Sequence, residues 1–259
     1  MKRYASVLVA AFLILGASGG TWAQAGKPNH GPDSFSSRAT LIPLYFAPKA
    51  NAPFMATAKT IWVKILPDGS TITVWNQRMV ARDMDGRVFQ ERRYLVPQDS
   101  TQEPQVQFLE YADPVAHTIY SCIPGAKVCR LADFFAPVSY PMLPEGLQAD
   151  GRSYLTRENL GVETFEGLDV QHSRETFTFY KETIGNTNTI LHVVEYWYSP
   201  ELGIDVKVTR HDPRSGDQTL WLTNISTTAA DPATFRIPSG YRILDYRPRQ
   251  VNQDTSGNP

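Results

Sequence analysis

Apolar and polar positions alternate with a period of two along most of this chain. Ile61, Val63 and Ile65 alternate with Trp62 and Lys64, and Ile72 and Val74 resume the pattern after Pro67-Asp68-Gly69-Ser70. Successive side chains of a strand point to opposite faces, so the pattern predicts a hairpin of two half-buried strands. The stretch from Ile190 to Ser226 shows the same alternation over three strands. Ile190–Tyr198 is rich in β-formers, Ser199-Pro200-Glu201-Leu202-Gly203 turns the chain, and Ile204, Val206 and Val208 alternate with Asp205, Lys207 and Thr209. Asp212-Pro213-Arg214-Ser215-Gly216 makes the next turn, with Pro presetting φ and Gly free to take a positive φ. Leu220 and Leu222 then alternate with Trp221 and Thr223.

The remaining segments extend this reading. Ordered β structure is expected from near Ala58, with a meander running through Asp83-Met84-Asp85-Gly86 to Leu95. Val106–Tyr111, His117–Cys122, Val128–Leu131, Tyr154–Leu160, Leu168–Tyr180 and Tyr241–Tyr246 read as further strands, and Gly161–Gly167 as a short excursion. Asp231-Pro232 predicts one helical turn, Asp as N-cap and Pro at the first position. Pro137, Pro141 and Pro144 exclude a long helix between Phe134 and Gly146. About ten to twelve strands by template matching predict a mainly β protein: one large antiparallel sheet, barrel or sandwich with few short helices.

The ends read differently. Lys2 and Arg3, the apolar run Val7–Leu15 and Ala23-Gln24-Ala25 form a secretory signal peptide over residues 1–25. Residues 26–57 read as a lead-in and irregular arm, 58–247 as a single β domain and 248–259 as a disordered tail. Loss of Lys2 and Arg3 takes the formal charge from −1 to about −3, and the scattered basic residues exclude a nucleic-acid partner. After the leader no apolar run is long enough to span a bilayer as a helix. No Cys follows the apolar run, so the reading is a periplasmic or secreted protein without a lipid anchor.

Candidate chemistry is sparse. Cys122 and Cys129 flank a Pro124-Gly125 turn, and in an exported chain they are expected to form a disulfide. His30, His117, His172, His192 and His211 form no metal-ligand spacing. His211-Asp212 is not a triad, because Asp212 opens a turn and is expected to cap backbone N–H groups. The chain has no GxSxG, P-loop or dinucleotide fingerprint. No catalytic residue, metal or cofactor is therefore assigned, and a hydrolase with an unrecognised site ranks last among the functions considered.

The aromatic residues change the picture more. Leu191, Val193 and Trp197 lie on one side of their strand, and Ile190, Val194, Tyr196 and Tyr198 on the other. Such a strand is covered on both sides or faces a ligand groove on one. Trp62, Trp75, Tyr196, Trp197, Tyr198 and Trp221 are candidate trough residues. Phe135, Tyr140, Met142 and Leu143 are candidates for a covering or partner-contact loop.

Three further segments carry a resemblance. Glu158-Asn159-Leu160-Gly161 with Glu166-Gly167 is one. Trp197-Tyr198-Ser199-Pro200-Glu201-Leu202 followed by Asp212-Pro213-Arg214 is another. Asp231-Pro232 with Phe235, Pro238 and Tyr241 is the third. Together they resemble a group of exported bacterial proteins of unknown function. More distantly, the succession of strands is similar to the LolA/RseB-type lipoprotein-carrier fold. That resemblance implies a curved antiparallel half-barrel whose concave face takes acyl chains. The expected function is thus a non-enzymatic envelope protein binding a lipid, acyl chain or lipoprotein. The alternative is an envelope module that binds or senses another protein.

Overall fold

The computed structural model describes residues 48–135 and 143–248. Its strands are β1 (Phe54–Ile65), β2 (Thr71–Arg82), β3 (Val88–Arg93), β4 (Val96–Pro97), β5 (Val106–Asp113), β6 (Thr118–Ile123), β7 (Val128–Asp133), β8 (Gly146–Leu147), β9 (Tyr154–Phe165), β10 (Leu168–Phe179), β11 (Ile190–Ser199), β12 (Ile204–Asp212), β13 (Gly216–Ser226) and β14 (Arg242–Asp245). All belong to one sheet in the order β14-β7-β6-β5-β3-β2-β1-β13-β12-β11-β10-β9-β8, with β4 pairing β2 off this path. Every pairing is antiparallel except β14 with β7. Among the described residues the helical content is two short 3-10 turns, Pro124–Ala126 and Pro232–Phe235. Asp231 caps the second, accepting a hydrogen bond from the Ala233 N–H at 2.8 Å.

The sheet is curved, and chain length alone requires some curvature. Eleven strand-to-strand steps separate β7 from β8, about 53 Å across a flat sheet at about 4.8 Å per step. From Asp133 to Gly146 the chain has thirteen steps, which extend at most about 47 Å. Only a curved sheet brings β7 and β8 within that reach. Burial shows which side is concave. Val80 and Val88 on β2 and β3 share one core cluster with Leu168 and Val170 on β10, together with Phe54, Ala56, Ala58, Val206, Leu220 and Leu222. Arg82 closes one end of this hollow, donating to the Ala52 carbonyl at 2.8 Å and to the Leu202 carbonyl at 2.5 Å.

A second core lies on the convex side of the other half. Ala81, Phe89, Tyr111, Cys122 and Cys129 pack beneath Phe235, Ile237 and Tyr241, as the chain crosses from β13 to β14. Cys122 and Cys129 face each other in register on β6 and β7 and are bonded. The bridge spans the hairpin turn, with Lys127 taking φ 49 to close it.

Two boundaries differ from the expectation. The first strand starts at Phe54, four residues before Ala58, because Phe54–Thr57 pair with Met79–Arg82. The excursion expected at Gly161–Gly167 is the second half of β9, where Val162–Phe165 pair with Leu168–Gln171. Gly161, at φ 102, accommodates the bulge that opposes Leu160 to no single partner on β10, and the strand then resumes.

Candidate functional site

β9, β10 and β11 together carry an open groove of about 640 Å³. Register explains its lining. Arg157 stands beside Glu175, Asn159 beside Ser173, and Ser173 beside Tyr196. Past the bulge, Val162 stands beside Gln171, and Gln171 beside Tyr198. The groove therefore runs along the strands from a charged end to a more apolar one, where Val162 and Tyr198 stand with Gln171 and His172.

At the charged end the Arg157 guanidinium meets the Glu175 carboxylate at 2.6 Å and donates to the Leu143 carbonyl at 2.6 Å. Burial, with the neighbouring carboxylates of Glu175 and Asp205, pushes the Tyr196 hydroxyl up to about 12, so it stays protonated at neutral pH. Asp205 follows Tyr198 in register on β12, and burial raises its carboxyl to about 6. At the apolar end Val162 is 72% exposed and Tyr198 39% exposed.

The six trough candidates do not share one face. Tyr196 and Tyr198 line the groove. Trp62 is on the concave side but buried against Val74 and Leu95, its indole N–H donating to the Ser215 carbonyl at 2.8 Å. Trp75 pairs with Ile61, and Trp221 with Lys59 and Lys207, all on the convex side. Trp197 sits at the β11–β12 bulge and belongs to the main core. There the Lys207 ammonium stands 3.9 Å from the centre of the Trp197 ring, His172 stacks on the indole at 4.1 Å, and the indole N–H donates to Glu163. Of the loop candidates, Phe135 is 79% exposed and Leu143 52% exposed, whereas Tyr140 and Met142 lie outside the described residues.

Polar residues are the part that sequence reasoning missed. Thr60, Asn76, Arg78 and Gln218 are buried on the concave side of the central strands. Arg78 donates to Thr60 and to Asn76, each at 3.2 Å. Their signal was present, since Thr60, Asn76 and Arg78 occupy the same parity as Trp62 and Val74, but an isolated Arg ordinarily reads as solvent-facing. His211 pairs with Asp217 across the strands at 2.5 Å, while Asp212 accepts from the Arg214 backbone at 2.9 Å and caps its turn. Among the described residues no three His, Cys, Asp or Glu side chains converge as a metal site, and no helix is long and apolar enough to cross a membrane.

The described chain is a mainly β protein built on one large, curved, open sheet. No family model and no curated protein matches it. An uncharacterised conserved protein from Thermus thermophilus is similar at 8% identity and a TM-score of 0.38, over 75% of this chain and 90% of that one. MucB in the Pseudomonas aeruginosa MucA/MucB complex is similar at 13% identity and a TM-score of 0.36, over 72% of this chain and 56% of that one. A LolA superfamily protein from Nitrosomonas europaea is similar at 8% identity and a TM-score of 0.28, over 71% of this chain and 90% of that one. At these values no residue role is carried across.

Proposed function

We propose that this is an exported, non-enzymatic envelope protein that binds an amphiphile, such as a lipid or the acylated end of a lipoprotein, in the groove on β9–β11. The gradient along that groove supports the reading above all. A polar head would meet Arg157, Glu175 and Ser173, while a chain would lie on Tyr196, Tyr198 and Val162. The volume of about 640 Å³ is in the ordinary range for small-molecule sites. The disulfide fits an oxidising compartment. Titration with a fluorescent fatty acid tests the proposal. Saturable binding, weakened severalfold by Tyr196→Ala and Tyr198→Ser, is expected; no binding, or binding indifferent to both substitutions, overturns it.

A second reading has its own observation. Phe135 and Leu143 are exposed at the two described ends of the Phe134–Gly146 loop, an arrangement suited to gripping a partner protein. In a pull-down from envelope extract, Phe135→Ser with Leu143→Ser should abolish capture while leaving the circular dichroism spectrum unchanged. Undiminished capture removes the loop from this role.

A further inference from the structure

Among the described residues, one margin of the sheet is open beside the groove. β8 pairs only with Tyr154 and Leu155 of β9, and Glu145 accepts from the Arg157 N–H at 2.6 Å. From Glu158 to Phe165 no described residue pairs with the outer side of β9. Over this stretch alternate backbone N–H and C=O groups face outward, a ready template for another strand. Leu160 is 39% exposed and Val162 72% exposed on the same stretch.

Charge states what such a strand must carry. Between Glu145 and Asp169 the chain has six acids (Glu145, Asp150, Glu158, Glu163, Glu166 and Asp169) against two bases, Arg152 and Arg157. Arg157 is already engaged with Glu175. Glu158 is half exposed, with Arg174 at 3.4 Å, and Glu166 stands exposed in the β9–β10 turn. These acids disfavour a second acidic margin of the same kind and favour a basic one.

We infer that the Glu158–Phe165 margin of β9 is a docking surface for an extended, basic peptide of a partner protein. The peptide adds as a further strand, and its inward side chains enter the groove over Val162 and Tyr198. Backbone hydrogen bonds supply affinity, while the acids and the groove supply selection. The bulge at Leu160–Gly161 divides the margin, so the peptide is held in two short ladders rather than one continuous one. The inference does not rest on the amphiphile reading, although both ligands would meet Val162 and Tyr198 and would therefore compete.

The test uses the full chain with two blocked ten-residue peptides, one alternating Lys and Val and one alternating Glu and Val. Binding is followed by fluorescence anisotropy, and amide hydrogen exchange is mapped by mass spectrometry. The basic peptide should bind, slow exchange within residues 158–165, and lose at least tenfold in affinity with Glu158→Lys combined with Glu166→Lys. The acidic peptide should not bind. Equal binding of both peptides overturns the inference, as does binding without new protection in 158–165. Protection that rises with protein concentration and without peptide also overturns it, by assigning the margin to a second copy of the chain. A fatty acid that binds while the basic peptide does not sinks this inference and leaves the amphiphile reading standing.

Discussion

The Arg82 side chain on β2 reaches the backbone oxygen of Leu202, in the turn between β11 and β12, at 2.5 Å. In the sheet β1 and β13 stand between β2 and β12. On a flat sheet three steps would hold them about 14 Å apart, beyond a side chain's reach. The contact exists because the sheet folds over its concave face, and Arg82, fully buried with Phe54 against its guanidinium at 5.1 Å, fills the fold.

Arg82→Ala should therefore be severely destabilising. It leaves the Ala52 and Leu202 carbonyls without this donor and opens a cavity at the end of the hollow. A loss of about 3–5 kcal/mol is expected in urea denaturation. Arg82→Lys should recover only part of it, since one ammonium does not reproduce the planar fork that serves both oxygens.

Asp205 gives a pH dependence of defined sign. Its folded carboxyl is raised to about 6 by burial, against an ordinary value near 3.8. The folded state thus holds the proton more tightly than the unfolded chain. Below about pH 4 both states are protonated and there is no difference; between about 4 and 6 the folded state loses ground; above 6 the full penalty applies. Asp205→Asn should raise stability at pH 7.5 by about 2–3 kcal/mol and leave it nearly unchanged at pH 3.5. Urea midpoints of the two proteins at both pH values decide it. An equal gain at both would mean that ionisation is not the cause.

Removing the disulfide should cost stability without touching the groove. Closing so short a loop is worth about 2–3 kcal/mol in the chain-entropy account. Cys122 and Cys129 are both fully buried, so Cys122→Ala with Cys129→Ala adds a small packing loss. The melting temperature should fall, while affinity for a groove ligand should not, because the bridge belongs to the second core on β6 and β7.

Two glycines separate space from conformation. A Cβ on Gly216 (φ 93) would lie 2.2 Å from the Val63 carbonyl oxygen, whereas one on Gly161 (φ 102) would meet nothing within 4 Å. Gly161→Ala should cost only the unfavourable φ, about 1–2 kcal/mol. Gly216→Ala must also push β13 away from β1 and should cost clearly more, read as the difference in thermal midpoint.

How much was legible follows from the range over which each signal acts. Local punctuation was readable: Asp231 caps its turn, Asp212 caps the β12–β13 turn, and Cys122 meets Cys129 across the hairpin. The pairing of β1 with β13 was not, since Ala58 and Leu222 carry no mark of each other until the sheet assembles. The aromatic faces were half legible. Alternation places Trp62 opposite to Ile61 in direction, but which side becomes concave depends on all fourteen strands. The bulges at Leu160 and Val206 then shift register within β9 and β12, which is how Trp197 comes to join the core that Val206 and Ile204 also enter. The buried Arg78 and Arg82 were the least legible, because their burial is a property of the closed hollow.

The thirteen steps between Asp133 and Gly146 act as a tether of fixed length. However the sheet breathes, these two positions stay within about 47 Å. Residues added to this connection would let β7 and β8 part further; residues removed would draw them inward. Tether length thus sets a ceiling on how far β7 and β8 can part without altering any residue of the sheet itself.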